Sequence, residues 1–154
     1  METPQLNSLY QQLILEHYRK PRNRGELPDH TVEVHMRNPT CGDEVVLQLR
    51  IADDTVEEAR FSGQGCSISQ ASISMMTQLV KGASIDDAVR LARLFTRMMH
   101  GDPDVVRDRS LGDLRALQGV SKFPVRVKCA LLGFDALQEA LKESGFSLEE
   151  EVVS

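Results

Sequence analysis

The chain has 154 residues, a net charge of −5, 41% hydrophobic residues and 27% charged residues. This length predicts one domain whose core needs no disulfides, and the acidic balance argues against nucleic-acid binding, which requires a basic face. No apolar run approaches the length of a membrane-spanning helix and no secretory signal is visible, so we expect a cytoplasmic protein with reduced cysteines and no membrane partner.

The N-terminal segment is predicted to form an amphipathic helix. Its apolar positions recur at helical spacing and form one stripe: Leu6, Leu9, Tyr10, Leu13, Ile14 and His17. Thr3 can cap this helix with Pro4 at its first position, and Pro21 ends it because the residue before a proline avoids helical geometry. His17 lies on the apolar stripe, so we interpret it as a core or boundary histidine rather than a metal ligand.

Three strands are predicted next. Apolar and polar residues alternate in segments 32–36 and 45–51, and segment 56–62 can return as a third strand after a turn. A turn at 52–55 makes the second and third strands an antiparallel hairpin. The segment 38–43 then joins the first two strands, and Cys66 follows the third. Both segments are therefore expected to lie at one end of a small sheet.

The second half of the chain is predicted to be helical. Ser67 and Gln70 have the spacing of a capping box, which predicts a helix from this point to Lys81. Cys66 would then lie just before the N-terminus of that helix. Backbone N–H groups and the positive end of the helix dipole favour a thiolate at such a position.

Three further helices are predicted after this one. The second helix of this half begins at Ser84 and ends at Gly101. Ser110 and Asp113 have the spacing of a cap for a short helix, and a long final helix begins near Pro124. The fold class is therefore α+β, with a three-stranded antiparallel sheet packed against helices in one domain, 1–145. The acidic tail, 146–154, is expected to be disordered.

Three cysteines and one aspartate, Cys41, Asp43, Cys66 and Cys129, are the strongest candidates for a functional site. A lone cysteine often packs as a small hydrophobe, but none of these three lies inside a run of aliphatic residues. Asp43 follows Cys41 by two positions, so in an extended segment both side chains leave the same side of the backbone. Three thiolates and one carboxylate are a complete tetrahedral set for Zn²⁺, and thiolates also bind iron–sulfur clusters. The C-x-x-C pair of zinc fingers and thioredoxins is absent.

The segments around the cysteines carry a family resemblance. Their sequences are NPTCGD at 38–43, GQGCSIS at 63–69 and QGVSKFPVRVKC at 118–129. They resemble the signature segments of the SufU branch of the IscU/NifU N-terminal family of iron–sulfur cluster assembly proteins. Lys128, where IscU-type proteins carry a histidine, and an apparent insertion at 98–118 are typical of that branch. The chaperone-binding Leu-Pro-Pro-Val-Lys motif of IscU-type proteins is missing before Cys129.

The resemblance implies a metal centre that handles sulfur. Cys41, Asp43, Cys66 and Cys129 would bind Zn²⁺, and a transient [2Fe–2S] cluster or iron is the other expected occupant. The implied partners are a pyridoxal-phosphate-dependent cysteine desulfurase of the SufS type and further iron–sulfur assembly components. Cys41 would accept the persulfide sulfur, because its loop can move more cheaply than a helix-borne cysteine, and Arg126 would steady Cys41 during the exchange.

Two other functions stay open beside sulfur transfer. The same four ligands would serve a scaffold on which a [2Fe–2S] cluster is built, and a protein of another class, an inert zinc-stabilised interaction module, would show the same ligand set without chemistry. If the chain is an enzyme, it is a zinc-dependent sulfurtransferase that acts with a desulfurase. Arg126 and Lys128 are also explained as solvated cations on a helix face.

Overall fold

The computed structural model describes residues 4–146 of the chain. Its elements are four α-helices and three strands, with two 3-10 segments before the last helix: α1 Pro4–Arg19, β1 Val32–Asn38, β2 Asp43–Ala52, β3 Thr55–Gln64, α2 Ser67–Val80, α3 Ile85–Met99, the 3-10 segments Asp104–Arg107 and Arg109–Lys122, and α4 Pro124–Glu143. This is the predicted α+β order. No helix within these residues is both long and apolar enough to cross a membrane.

The strands form one antiparallel sheet in the order β1-β2-β3, as predicted. Asn38 pairs with Asp43 at one end of the sheet, and Gln64 pairs with Glu44 at the same end. The chain leaves β1 and β3 at this end, so the segments that carry Cys41 and Cys66 start side by side. At the opposite end, positive φ at two consecutive aspartates gives the tight turn of the β2–β3 hairpin.

The helices cover one face of the sheet. The alternating apolar residues of β2 are buried against α4, which also packs against α2. Gly133 allows the close approach of these two helices, because a Cβ at this position would lie 2.9 Å from the Cβ of Ile73. The rings of Phe95 and Phe134 stack with their centroids 4.5 Å apart and hold α3 against α4.

The helix caps follow the prediction in one case and differ in two. The Ser84 hydroxyl accepts the Asp87 N–H at 3.1 Å and caps α3, as predicted. For α2 the predicted capping by Ser67 is wrong, because Cys66 is the N-cap residue and makes no side-chain cap. In the 3-10 segment the predicted cap at Ser110 is also wrong, because the carboxylate of Asp108 accepts the Ser110 N–H at 3.0 Å.

His17 is fully buried and joins three elements, which confirms its interpretation as a core residue. Its Nδ1 lies 2.8 Å from the Ser74 hydroxyl of α2, and its Nε2 lies 2.9 Å from the carboxylate of Asp113. Ser74 also accepts the backbone N–H of Arg22 at 2.8 Å. The network ties α1 to α2 and to the 3-10 segment within the apparent insertion.

Two apolar positions lie at the surface: Leu9, which is predicted to lie on the apolar stripe of α1, and Val125 in the first turn of α4. Leu9 is 62% exposed and Val125 is 58% exposed. The predicted acidic tail, 146–154, lies outside the described residues except for Phe146, which packs against the core after the turn at Gly145.

Candidate metal centre

Cys41 lies in the short connection between β1 and β2. Asn38 organises this connection, since its carbonyl accepts the N–H groups of Cys41 and Gly42 at 3.2 and 2.9 Å. Its side chain accepts the Thr40 N–H at 3.2 Å and donates to Cys41 Sγ at 3.4 Å. Gly42 has φ +74, which favours glycine. Asn38 was not among the predicted site residues, although an asparagine that starts a turn is the usual signal of this bonding.

Asp43 is the first residue of β2 and is 2% exposed. Its Oδ1 accepts the backbone N–H of Cys66 at 2.9 Å, and its Oδ2 lies 4.0 Å from Cys66 Sγ. A Cβ at position 65 would overlap this carboxylate and the hydroxyl of Ser69, so only glycine leaves room for it. The carboxylate therefore supplies the cap that α2 lacks and joins β2 to the start of α2.

Cys129 brings α4 to the same place. Its side chain is buried in the second turn of α4, and its Sγ lies 3.1 Å from Cys41 Sγ and 3.7 Å from the Val125 carbonyl. This separation is longer than a disulfide bond of about 2.05 Å, and both thiols are free. The ligand atoms of Cys41, Asp43 and Cys129 all lie within 4.8 Å of one another. Three of the four predicted ligands thus meet at one point.

Cys66 lies beside this group without belonging to it. Its Sγ is near the Asp43 carboxylate, but it does not lie within 4.8 Å of all three other ligand atoms. Its backbone is extended, with φ −71 and ψ 169, and its side chain is partly exposed. The fourth predicted ligand is therefore adjacent, while the three grouped candidate ligands come from the β1–β2 connection, the start of β2 and α4.

The electrostatics of the group suit a bound cation. Burial raises the pKa of the Cys129 thiol far above its ordinary value, and hydrogen bonds with Cys41 and Asp43 and the negative charges of Cys66 and Asp43 raise this pKa further. The thiol therefore stays protonated while no positive charge is near. A bound cation reverses this preference, because a coordinating thiol loses its proton outright. Sulfur-rich donors with one carboxylate fit Zn²⁺ or iron rather than Mg²⁺ or Ca²⁺.

Arg126 and Lys128 are exposed in the first turns of α4. Neither side chain forms a hydrogen bond or ion pair with any residue in the described part of the chain. Arg126 lines a shallow surface depression with Phe123 and with Ser67 and Ile68 at the start of α2. The structure does not bring Arg126 into contact with Cys41, and its predicted role stays a prediction.

The sequence of this chain matches a known family over most of its length. The family described as NifU-like N terminal domain matches residues 9–130. The chain belongs to this family. The matched residues contain Cys41, Asp43, Cys66 and Cys129, so the whole candidate centre lies inside the NifU-like domain.

Members of the NifU-like family share both the sequence and the fold of this chain. It is 50% identical over 141 residues to the zinc-dependent sulfurtransferase SufU of Bacillus subtilis, with 91% of this chain and 95% of the relative covered. It is 41% identical to the iron–sulfur cluster assembly scaffold protein IscU of Streptococcus pyogenes, over 94% of this chain and 89% of that protein. The crystal structure of the N-terminal part of a nitrogen-fixing NifU-like protein from Brucella abortus superposes with a TM-score of 0.77 at 25% identity and covers 94% of this chain and 97% of that one. The resemblance to the SufU branch is confirmed.

Proposed function

We propose that this protein is a zinc-binding sulfur acceptor in iron–sulfur cluster assembly, and that Cys41 takes persulfide sulfur from a cysteine desulfurase. The observation that carries the proposal is the Cys41 thiol itself. It is partly exposed, and the loop that carries it is hydrogen-bonded to Asn38 at the end of β1. Its Sγ lies 3.1 Å from the Sγ of the buried Cys129. The similarity to a relative named zinc-dependent sulfurtransferase supports the same reading.

The ligands we assign to zinc are Cys41, Asp43, Cys66 and Cys129. The ligand atoms of Cys41, Asp43 and Cys129 lie within 4.8 Å of one another. The Sγ of Cys66 lies 4.0 Å from the carboxylate of Asp43. Bound Zn²⁺ would keep the thiols deprotonated and ordered between transfers. The protein's own residues supply the positions, since Asp43 is fixed at the start of β2 and Cys129 is buried within α4.

The transfer is a thiol exchange at sulfur. The Cys41 thiolate attacks the outer sulfur of the persulfide on the desulfurase, so that a new S–S bond forms on Cys41. The bond between the enzyme cysteine and that outer sulfur breaks, and its electron pair leaves with the enzyme thiolate. No external oxidant or reductant is needed. Arg126 is exposed and has no partner in the described chain, so its guanidinium is available to steady the Cys41 thiolate.

Of the three thiols, Cys41 is the best placed to leave the group and return. Cys129 is 1% exposed and is held within a helix, so a partner's persulfide cannot reach it without opening the core. Cys66 is tied through its backbone N–H to the Asp43 carboxylate. Within the described residues, the backbone of the Cys41 loop is bonded to Asn38 at its own base, and its thiol is bonded to Cys129 Sγ. This loop is therefore the cheapest of the three segments to move.

A second candidate function is a scaffold on which a [2Fe–2S] cluster is assembled as cargo. It is favoured by the 41% identity to a relative named as an assembly scaffold, and the same thiolates and carboxylate would bind the cluster. Visible absorbance separates the two functions, because Zn²⁺ has none. An inert zinc-stabilised module predicts no sulfur on Cys41 under any condition.

The test compares three serine variants, Cys41→Ser, Cys66→Ser and Cys129→Ser, supplied with a desulfurase of the SufS type and L-cysteine. We expect the native protein to carry label for persulfide on Cys41 and to raise alanine production severalfold. Cys41→Ser is expected to lose both while it stays folded with some zinc, whereas the other two variants lose zinc and thermal stability as well. Persulfide found on Cys66 or Cys129 of Cys41→Ser would contradict the assignment of the acceptor.

A further inference from the structure

The turn that follows α1 covers the free edge of β3. The Gly25 N–H donates to the Phe61 carbonyl at 2.8 Å, and the Phe61 N–H donates to the Asn23 carbonyl at 3.0 Å. Arg24 and Phe61 form a parallel bridge between these bonds. The turn therefore acts as one further, very short strand, and its position relative to the sheet is set by backbone hydrogen bonds.

This placement directs the side chain of Arg24 onto the segment that carries Cys66, residues 63–66, here called the Cys66 loop. Arg24 Nη2 donates to the Gly63 carbonyl at 2.8 Å, and Nη1 donates to Gln70 Oε1 at 3.3 Å. The guanidinium also lies 5.8 Å from the centroid of the Phe61 ring. One guanidinium thus connects the end of β3 with the first turn of α2.

The contact at Gln70 continues to Cys66 itself. The Gln70 N–H donates to the Cys66 carbonyl at 3.1 Å, and its side-chain amide donates to the Ser69 hydroxyl at 3.4 Å. That hydroxyl in turn donates to the Cys66 carbonyl at 3.2 Å. The Cys66 loop is therefore bonded directly to Arg24 at Gly63 and is linked to Arg24 through Gln70 of α2 at its other end. On its inner side it is bonded to the carboxylate of Asp43.

We propose that Arg24 is a positioning residue for Cys66, which clamps the Cys66 loop so that Cys66 stays in place while Cys41 exchanges. The inference rests on the proposed function, because it takes Cys66 as a ligand. Its basis is the contrast between two loops at one end of the sheet. The backbone of the Cys41 loop is bonded to Asn38 of its own strand, and its one bond to another element is the thiol contact with Cys129, among the described residues. The Cys66 loop is bonded to the turn after α1, to α2 and to β2.

The test is Arg24→Gln in the full-length, zinc-loaded protein, with Arg22→Gln as the matched control. Arg22 lies in the same turn and carries the same charge, but its guanidinium pairs with Glu16 of α1 at 2.9 Å and not with the Cys66 loop. We measure zinc release to a chromophoric chelator, alkylation of each cysteine by iodoacetamide with mass-spectrometric readout, and amide hydrogen exchange across 63–66.

For Arg24→Gln we expect zinc release, alkylation of Cys66 and amide exchange of the Cys66 loop to rise by about threefold to tenfold, the scale of lost charge-assisted hydrogen bonds. Alkylation of Cys41 is expected to stay within twofold of native, and Arg22→Gln is expected to behave as native. Arg24→Lys retains the charge and one bond, so we expect an intermediate result.

Native rates in Arg24→Gln would overturn the inference, and so would an equal rise at Cys41 and Cys66 or the same rise in Arg22→Gln. Failure of the proposed function has a different signature. A native protein that binds no zinc and accepts no sulfur on Cys41 would contradict that function. Amide exchange across 63–66 would still report whether Arg24 holds the loop.

Discussion

At the scale of single residues, Asp43 has two tasks that are separable by substitution. Its carboxylate belongs to the ligand group with Cys41 and Cys129, and its Oδ1 accepts the Cys66 N–H at the start of α2. The side chain is buried, so loss of the acceptor leaves that N–H without a partner. We therefore expect the charge of Asp43 to contribute to metal binding and its Oδ1 to contribute to the stability of the fold.

Asp43→Asn and Asp43→Ala test this separation. Asparagine retains an oxygen that accepts the Cys66 N–H, but it loses the negative charge. We therefore expect zinc affinity to fall by at least about tenfold, because changes to residues that only contact metal ligands already lower affinity by this factor. Alanine removes the oxygen as well, and we expect a further loss of about 1 kcal/mol in the free energy of unfolding of the zinc-free protein. Competition with a chelator measures the first effect, and urea unfolding measures the second. Native zinc affinity in Asp43→Asn would remove Asp43 from the ligand set.

At the scale of elements, the packing of α1 depends on the hydrogen bonds of His17 as well as on its apolar stripe. The stripe is incomplete, because Leu9 lies at the surface. The buried ring of His17 fills the space between α1, α2 and the 3-10 segment, with both nitrogens in hydrogen-bonding distance of Ser74 and Asp113. A buried polar group with all partners present specifies one packing arrangement of these elements.

His17→Leu is expected to lower the free energy of unfolding by about 1 to 3 kcal/mol, because Ser74 and Asp113 lose a buried partner. We also expect faster hydrogen exchange in α1 than in α3. Urea unfolding and amide exchange check both effects. His35→Leu is the matched control, since the His35 side chain is 68% exposed and pairs only with Glu33 on the outer face of the sheet. If His17→Leu lowered the free energy of unfolding by no more than His35→Leu, about 0 to 1 kcal/mol, the hydrogen bonds of His17 would contribute nothing to stability.

At the scale of the whole molecule, the candidate centre joins parts of the chain that are distant in sequence. Cys41 and Asp43 belong to the β1–β2 connection, Cys66 precedes α2, and Cys129 lies in α4. Without a cation the buried thiol of Cys129 keeps its proton, because burial raises its pKa. A metal that bound all four would connect the sheet to both helices and would stabilise only the folded chain.

Removal of zinc is therefore expected to lower the melting temperature. At free zinc of about 100 times the Kd, binding contributes about 2.7 kcal/mol, which corresponds to about 5 to 10 °C for a domain of this size. Calorimetry before and after treatment with a strong chelator, with the metal content measured in parallel, checks the shift. Cys129→Ser serves as the control, because a variant that holds no zinc should melt at the same temperature with and without chelator. No change on complete removal of zinc from the native protein would contradict a structural role for the metal.

The sequence by itself determined the order of the elements and singled out the candidate ligands, Cys41, Asp43, Cys66 and Cys129. Alternation of period two located β1 and β2, and the turn after β2 indicated β3. Local signals placed the cap at Ser84 and the start of α4 at Pro124. These features depend on neighbours a few positions apart, which is why they can be read from the chain. The cysteines were recognisable because their flanking residues are turn formers rather than core residues.

Only the tertiary structure decided which groups meet across the fold. The carboxylate of Asp43, not Ser67, satisfies the start of α2 because β2 brings it there, and Gly65 makes room for it. The loop that carries Cys66 is bonded to Arg24, whose turn lies along the free edge of β3. Val125 lies on the helical stripe of Cys129 yet is exposed, because the core ends at the first turn of α4. Each outcome depends on contacts between segments far apart in sequence, which local periodicity does not encode.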